Sequence, residues 1–291
     1  MFLEEKLNSG RFIVLSEFDP PKGSDFSHLS QNANLVKGRV DALVVPEMGN
    51  AVMKASSLGT CSFLERAGFS TVFQLCCRDR NRLALQADIL AASALGIRNV
   101  MAVSGEEIRF GDHPQARSVH DIDLLELLAV LEQMKNGRDM AGIELKGSPG
   151  FLTGSSVNAG AMGGALDIEI ENMEKMVERG VRFIITSPIF DLHAFRQFMR
   201  RVEHLQAAVI PTVLLLKSAG MARYIDRNIR NISVPQEMIR GIQKAPDKLK
   251  ECIRIASNLI ADLREMEMAG IMVSTMGWED KLPMVLDRAN L

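Results

Sequence analysis

Cysteine is scarce in this chain, and nothing in its placement builds a cluster. The four cysteines are Cys61, Cys76, Cys77 and Cys252, with no CxxC pair among them. Neighbouring strand residues point to opposite faces, so Cys76 and Cys77 are badly placed to share a metal or a disulfide. They read as reduced thiols of a cytoplasmic protein, with Cys77 at a strand end and so a candidate pocket residue. The five histidines, His28, His113, His120, His193 and His204, are scattered. That argues against a zinc hydrolase, leaves each as a surface or capping residue, and predicts no metal site. An excess of charge of one sign is missing too. The formal net charge is −2 over 291 residues, which argues against a general nucleic-acid binder. No stretch approaches the roughly 20 apolar residues of a membrane helix. The opening MFLEEKLNSG mixes charges without a long apolar region, so no signal peptide is expected. Neither a G-x-S-x-G elbow nor a Ser–His–Asp spacing stands out. No Pro/Gly/Ser linker and no low-complexity segment divides the chain, so one domain over residues 1–291 is expected.

What is present is an alternation. Short β-like runs fall at 12–18, 42–46, 71–77, 100–104, 140–145, 183–187, 209–216 and 270–274. Helical patterns lie between them, among them 80–95, 121–134 with Asp121 as N-cap, 167–179, and 249–268. Eight strand–helix units in under 300 residues predict an α/β fold, a (β/α)8 TIM barrel. A doubly wound open sheet is the runner-up. It requires a Gly-rich phosphate turn after an early strand, and the first turn here reads DPPKG.

In a barrel, chemistry sits where strands end at their carboxyl side. The stretch RFIVLSEFDPPKG at 11–23 places Glu17 there, because Pro20 and Pro21 cannot continue a strand ladder. Flanked by Leu15 and Phe18, that carboxylate reads either as a surface group at a strand end or as a partly desolvated one, whose raised pKa would suit it to act as an acid near neutral pH. Other strand ends offer Asp19, Glu47, Asn50, Gln74, Arg78, Asp79, Ser104, Gly105, Glu106, Thr186, Ser187, Ser274 and Thr275. The segment GSPGFLTGSSVNAGAMGG at 147–164 reads either as a flexible loop or as a loop whose N–H groups and hydroxyls meet a phosphate or a flavin edge. Ser155 and Ser156 lie within it. Beyond it, Asn172 and Lys175 lie three apart on one helix, either as a solvated face or as a phosphate contact.

These residues, in this order, resemble the methylenetetrahydrofolate reductase family. The likeness covers nearly the whole chain. It is strongest in SEFDPPKG at 16–23, CRDRNRLALQADILAASALGIRNVMAVSGE at 77–106, GDHPQA at 111–116, ERGVRFIITSPIFD at 178–191, IPTVLLL at 210–216 and AGIMVSTMG at 269–277. CRDRNR and GDHPQA are most similar to the form found in acetogenic bacteria. The resemblance implies a flavoprotein of one-carbon metabolism using FAD, with FMN as the other choice. It implies Glu17 as the acid that protonates N10 of 5,10-methylenetetrahydrofolate, with Glu106 beside flavin and pterin where the family usually has Asp. It implies flavin contacts from Gln74, Val103, Ser104, Gly105, Ser155, Ser156, Glu169, Asn172 and Lys175. Substrate contacts would come from Glu17, Glu106, Ser187 and Thr275. NAD(P)H or a redox partner would supply electrons, a zinc- or iron–sulfur-containing partner subunit is possible within the family, and a homo-oligomer or hetero-complex is expected. The chain departs from the family pattern at Ser187, where Gln is usual, at Ala219, where an aromatic is common, at Glu106, and at PEMGN over 46–50. Two other readings stay open: a flavin-binding subunit that needs a partner for turnover, and a barrel lyase or aldolase without flavin.

Overall fold

A computed structural model describes residues 2–291. Eight strands, all parallel, close in the order of the chain: β1 Ile13–Glu17, β2 Ala42–Val45, β3 Thr71–Cys76, β4 Asn99–Val103, β5 Leu152–Val157, β6 Phe183–Pro188, β7 Ala208–Leu214 and β8 Gly270–Ser274. The closing pair is β1 with β8, in register from Ile13 opposite Gly270 to Ser16 opposite Val273. The expected (β/α)8 barrel is therefore present, and seven of the eight expected strands end within two residues of the observed ones.

The fifth strand is the correction. Residues 140–145 form a tight turn, closed by an antiparallel bridge between Arg138 and Glu144. Asp139 Oδ1 accepts the N–H groups of Ala141 at 2.9 Å and Ile143 at 2.8 Å, and Gly142 takes φ +81. An Asp side chain that satisfies the backbone locally competes with a sheet ladder. The strand lies instead inside the Gly/Ser-rich segment 147–164, as LTGSSV. Gly154 explains why so poor a strand former is needed. A Cβ at this position would collide with the Phe183 ring on β6, so the ring fills the barrel axis only if its neighbour has no side chain.

Helices alternate with the strands: α1 Leu3–Asn8, α2 Ser27–Leu35, α3 Ser57–Arg66, α4 Arg82–Ala94, α5 Leu124–Lys135, α6 Gly164–Glu178, α7 Leu192–Val202, α8 Ala219–Asn228, α9 Gln236–Lys244, α10 Lys248–Glu265 and α11 Leu282–Arg288. Three of them, α8 to α10, lie between β7 and β8. The N-cap of α5 is Asp123, whose carboxylate accepts Glu126 N–H at 2.8 Å, with Glu126 reciprocating on Asp123 N–H. The expected cap, Asp121, is taken up by Arg82 at 2.8 Å.

Two apolar cores result. The larger lies between the barrel wall and the outer helices, and Cys77 belongs to it. The smaller fills the lower barrel with Ile13, Leu15, Val44, Val72, Met101 and their neighbours, and Leu3 of α1 packs under it. No described helix is long and apolar enough to cross a membrane.

Candidate active site

Above the lower core, the strand ends open into a cavity of about 780 Å³. Strand parity decides which side chains reach it. Leu15 points into the barrel, so Glu17 does too, and it lines the cavity. Ser274 Oγ donates to Glu17 Oε1 at 2.9 Å. The other carboxylate oxygen has no protein hydrogen-bond partner among the described residues. Burial is the largest influence on this group, and with the nearby Asp19 charge it lifts the carboxyl from 4.5 to about 7; the Ser274 hydrogen bond and the Lys54 charge oppose the rise. Asp19 is paired with Lys54 at 2.8 Å. Glu17 is thus divided between acid and carboxylate near neutral pH, the condition for giving or taking a proton there.

The β2–β4 side is built of buried ion pairs. Glu47 is 2% exposed, pairs with Arg80 at 2.9 Å and accepts Ser57 N–H at 2.7 Å. Its own N–H donates to Gln74 Oε1 at 2.8 Å. This fixes the Gln74 amide on the cavity wall with its Nε2 still free to donate. Arg78 is 1% exposed and ties three loops together. It holds Asp79 through two 2.8 Å contacts, the Met48 carbonyl at 3.1 Å, and the Glu106 carbonyl at 3.1 Å and carboxylate at 3.3 Å. Burying a guanidinium is tolerable only with such complete pairing. Gly105 closes the turn at φ +89, where a Cβ would stand 2.8 Å from Arg78 Cβ and against Cys76 Sγ. Val103, Ser104, Gly105 and Glu106 all line the cavity.

The β5–β8 side is built of small polar groups. Ser156 and Ser187 line the cavity, and Ser187 Oγ contacts Asn158 Oδ1 at 3.1 Å. Glu169 of α6 accepts Asn158 N–H at 3.3 Å and reaches the same cavity. Thr212 Oγ1 donates to the Thr186 carbonyl at 2.6 Å.

Five expected residues are placed elsewhere. Ser155 is turned away from the cavity, with its hydroxyl buried against the Ala102 carbonyl at 2.9 Å. Thr275 lies past the end of β8 and donates to Glu279 at 3.2 Å, leaving Ser274 as the β8 hydroxyl in the site. Asn172 and Lys175 lie farther along α6 and do not line the cavity, and Lys175 pairs with Glu171 at 2.6 Å. Cys77 is packed against the outer helices instead of the pocket. The site also gathers Asn158, Thr212 and Arg230, which sequence reasoning did not single out. Strand alternation could have found Thr212; for Asn158 and Arg230, both on loops, there is no periodic signal. Among the described residues no His/Cys/Asp/Glu group is arranged to hold a metal ion.

The residues present fit the ring end of a flavin. The cavity falls within the range of about 300–1,000 Å³ typical of cofactor-sized ligands, and the Gln74 amide and the Ser104–Gly105 turn present polar groups along one wall. Lys175, the expected phosphate contact, is engaged by Glu171.

A family model described as methylenetetrahydrofolate reductase matches residues 2–290. A search of curated proteins finds no match. Among solved structures, one described as an uncharacterized protein from Clostridium thermocellum that binds two copies of 5-methyl-5,6,7,8-tetrahydrofolic acid superposes with TM-score 0.66 at 12% identity, covering 99% of this chain and 97% of that one. A 2,3-dimethylmalate lyase of the PEP mutase/isocitrate lyase superfamily gives TM-score 0.56 at 10% identity, covering 99% and 87%. EDTA monooxygenase from Chelativorans gives 0.53 at 9% identity, covering 96% and 92%. At these identities the likenesses show the barrel alone.

Proposed function

The chain belongs to the methylenetetrahydrofolate reductase family, and from that premise we propose that it reduces 5,10-methylenetetrahydrofolate to 5-methyltetrahydrofolate, with Glu17 as general acid. The observation that carries the proposal is the Glu17 carboxyl, lifted to about 7 at the end of β1 and facing the cavity. Ser274 anchors Oε1, which leaves Oε2 to carry the proton to N10 of the substrate as its five-membered ring opens. A bound flavin, FAD or FMN, supplies the hydride.

The remaining roles follow from position. Gln74 donates from its fixed amide. Val103, Ser104 and Gly105 bound the flat face of the ring system, and Ser156 lies beside them on the neighbouring strand β5. Glu106, held by Arg78, places negative charge beside the ring, which opposes an anionic reduced flavin and favours hydride donation. Ser187, coupled to Asn158, meets the substrate. Glu169 stands at the ribityl end, and a phosphate contact from Lys175 requires its release from Glu171. NAD(P)H or a redox partner restores the electrons. The ligand of the Clostridium thermocellum neighbour is the product of this reaction, which supports a folate as the substrate class.

The test is spectroscopic. The purified protein should be yellow, bleach with dithionite and regain colour on addition of 5,10-methylenetetrahydrofolate. Glu17→Gln should retain the flavin and lose the folate-driven recovery. Colourless protein that takes up no flavin, or full recovery in Glu17→Gln, overturns the reading.

A further inference from the structure

Beside the catalytic cavity lies a second one of about 420 Å³, walled by the loop after β5, by the end of β6 and the start of α7, and by residues 226–233 at the end of α8 and beyond it. Pro188, Ile229, Arg230 and Ile232 line both cavities, so the two share a wall. The floor of the second is apolar, with Phe190 and Phe195 buried beneath it.

Charge divides the two. Five carboxylates line the catalytic cavity: Glu17, Asp19, Glu47, Glu106 and Glu169. Lys54, Arg80 and Arg78 offset three of them but do not themselves line it. The one basic lining residue is Arg230, at the shared wall, and Arg227 joins it in the second cavity. Neither guanidinium has an ion-pair or hydrogen-bond partner among the described residues. Two carboxylates line the second cavity as well, and each is held by neutral N–H donors. Asp191 Oδ1 accepts the N–H groups of His193 at 2.9 Å and Ala194 at 3.0 Å. Asp226 accepts Val234 N–H at 3.0 Å and Gln236 Nε2 at 3.1 Å. The catalytic cavity thus sets five carboxylates against one arginine and the second cavity two against two, so an anionic group is less disfavoured in the second and meets its unpaired cations at and beyond the shared wall.

We propose that the second cavity is a subsite for the carboxylate-bearing tail of the substrate, held by Arg227 and Arg230. The proposal rests on the folate reading above. A folate joins a neutral pterin through an aminobenzoyl ring to one or more glutamates. Its polar ring suits the catalytic cavity, and its tail, aromatic first and anionic after, matches an apolar floor edged by arginines. The charge pattern orients the molecule: the pterin points to Glu17, and the tail crosses Ile229 and Ile232 towards Arg227.

The experiment titrates p-aminobenzoyl-triglutamate, the tail alone, into wild type and the double variant Arg227→Gln/Arg230→Gln by calorimetry, with a tail-less tetrahydropterin as control. Tail binding should weaken at least about 10-fold, since two charge-assisted contacts are lost. It should also weaken with added salt in the wild type. Pterin binding should move less than about 2-fold, and Arg230→Lys should recover part of the tail affinity by keeping the charge. Equal tail affinity in wild type and double variant, or equal losses for tail and pterin, overturns the subsite. Arginine-dependent tail binding in a protein that never reduces methylenetetrahydrofolate sinks the reductase reading and leaves the subsite standing. Folate reduction without arginine-dependent tail binding does the reverse.

Discussion

Leu15 and Glu17 are two residues apart on β1 and point the same way, yet they belong to different worlds. Around Leu15, the lower barrel is closed by Ile13, Val44, Val72, Met101 and Phe183. Around Glu17, about 7 Å higher on the strand, the inward side chains are Gln74, Ser156, Ser187, Thr212 and Ser274. Dispersion and burial hold the lower level, and neither depends on direction or pH. Hydrogen bonds and charges hold the upper level, and both do. One continuous sheet thus carries a level that supplies stability and a level that supplies chemistry, and substitutions at the two should register in different measurements.

The largest separation is expected from Phe183→Ala. It empties the axis of the lower level and should cost about 3–5 kcal/mol in denaturant unfolding. If the protein folds, the flavin binding proposed above should remain native in its spectrum. A mouth that lost flavin in step with stability would show that the two levels are not separable. The converse is Glu17→Gln, which should lower the folate half-reaction by about 100- to 10,000-fold without lowering the unfolding midpoint.

The next effect is in pH. The unfolded Glu17 carboxyl releases its proton near 4.5 and the native one near 7. Its contribution to stability is therefore complete below pH 4.5 and falls away as pH rises to about 7, by about 3 kcal/mol. Glu17→Gln should flatten that slope in unfolding measured across the window, while Leu15→Ala should lower the whole curve and leave the slope unchanged. Activity should decline above pH 7 as the acid form is lost. The smallest effect is Ser274→Ala. Removing the hydrogen bond that favours the carboxylate should cost about 1 kcal/mol and move the alkaline limb of the rate profile further up in pH. A limb that shifted down would contradict the role given to Ser274.

Seven strands were legible because β-branched and aliphatic runs stop at glycine, proline or a polar cluster. The fifth was not, because LTGSSV is small and polar for a tertiary reason: Phe183 needs the space above Gly154. Glu17 was legible from the double proline after it. Ser155 and Thr275 show the limit of such reading. A one-residue change of parity turns a hydroxyl from the cavity to the wall, and the sequence carries no mark of that parity where strand boundaries are blurred. The pairing of Arg78 with Met48 and Glu106 on two other loops was invisible as well, since those partners come together only when the barrel closes.

Leu3 and the aliphatic level above it have a consequence for traffic. With its floor sealed in this way, the chamber around Glu17 is closed from below and opens on the mouth side of the barrel. Molecules in a dead end cannot pass one another. On the reductase reading proposed above, a donor and an acceptor of electrons would both use the mouth side, so the order of visits would be set by the shape of the room as much as by the chemistry inside it.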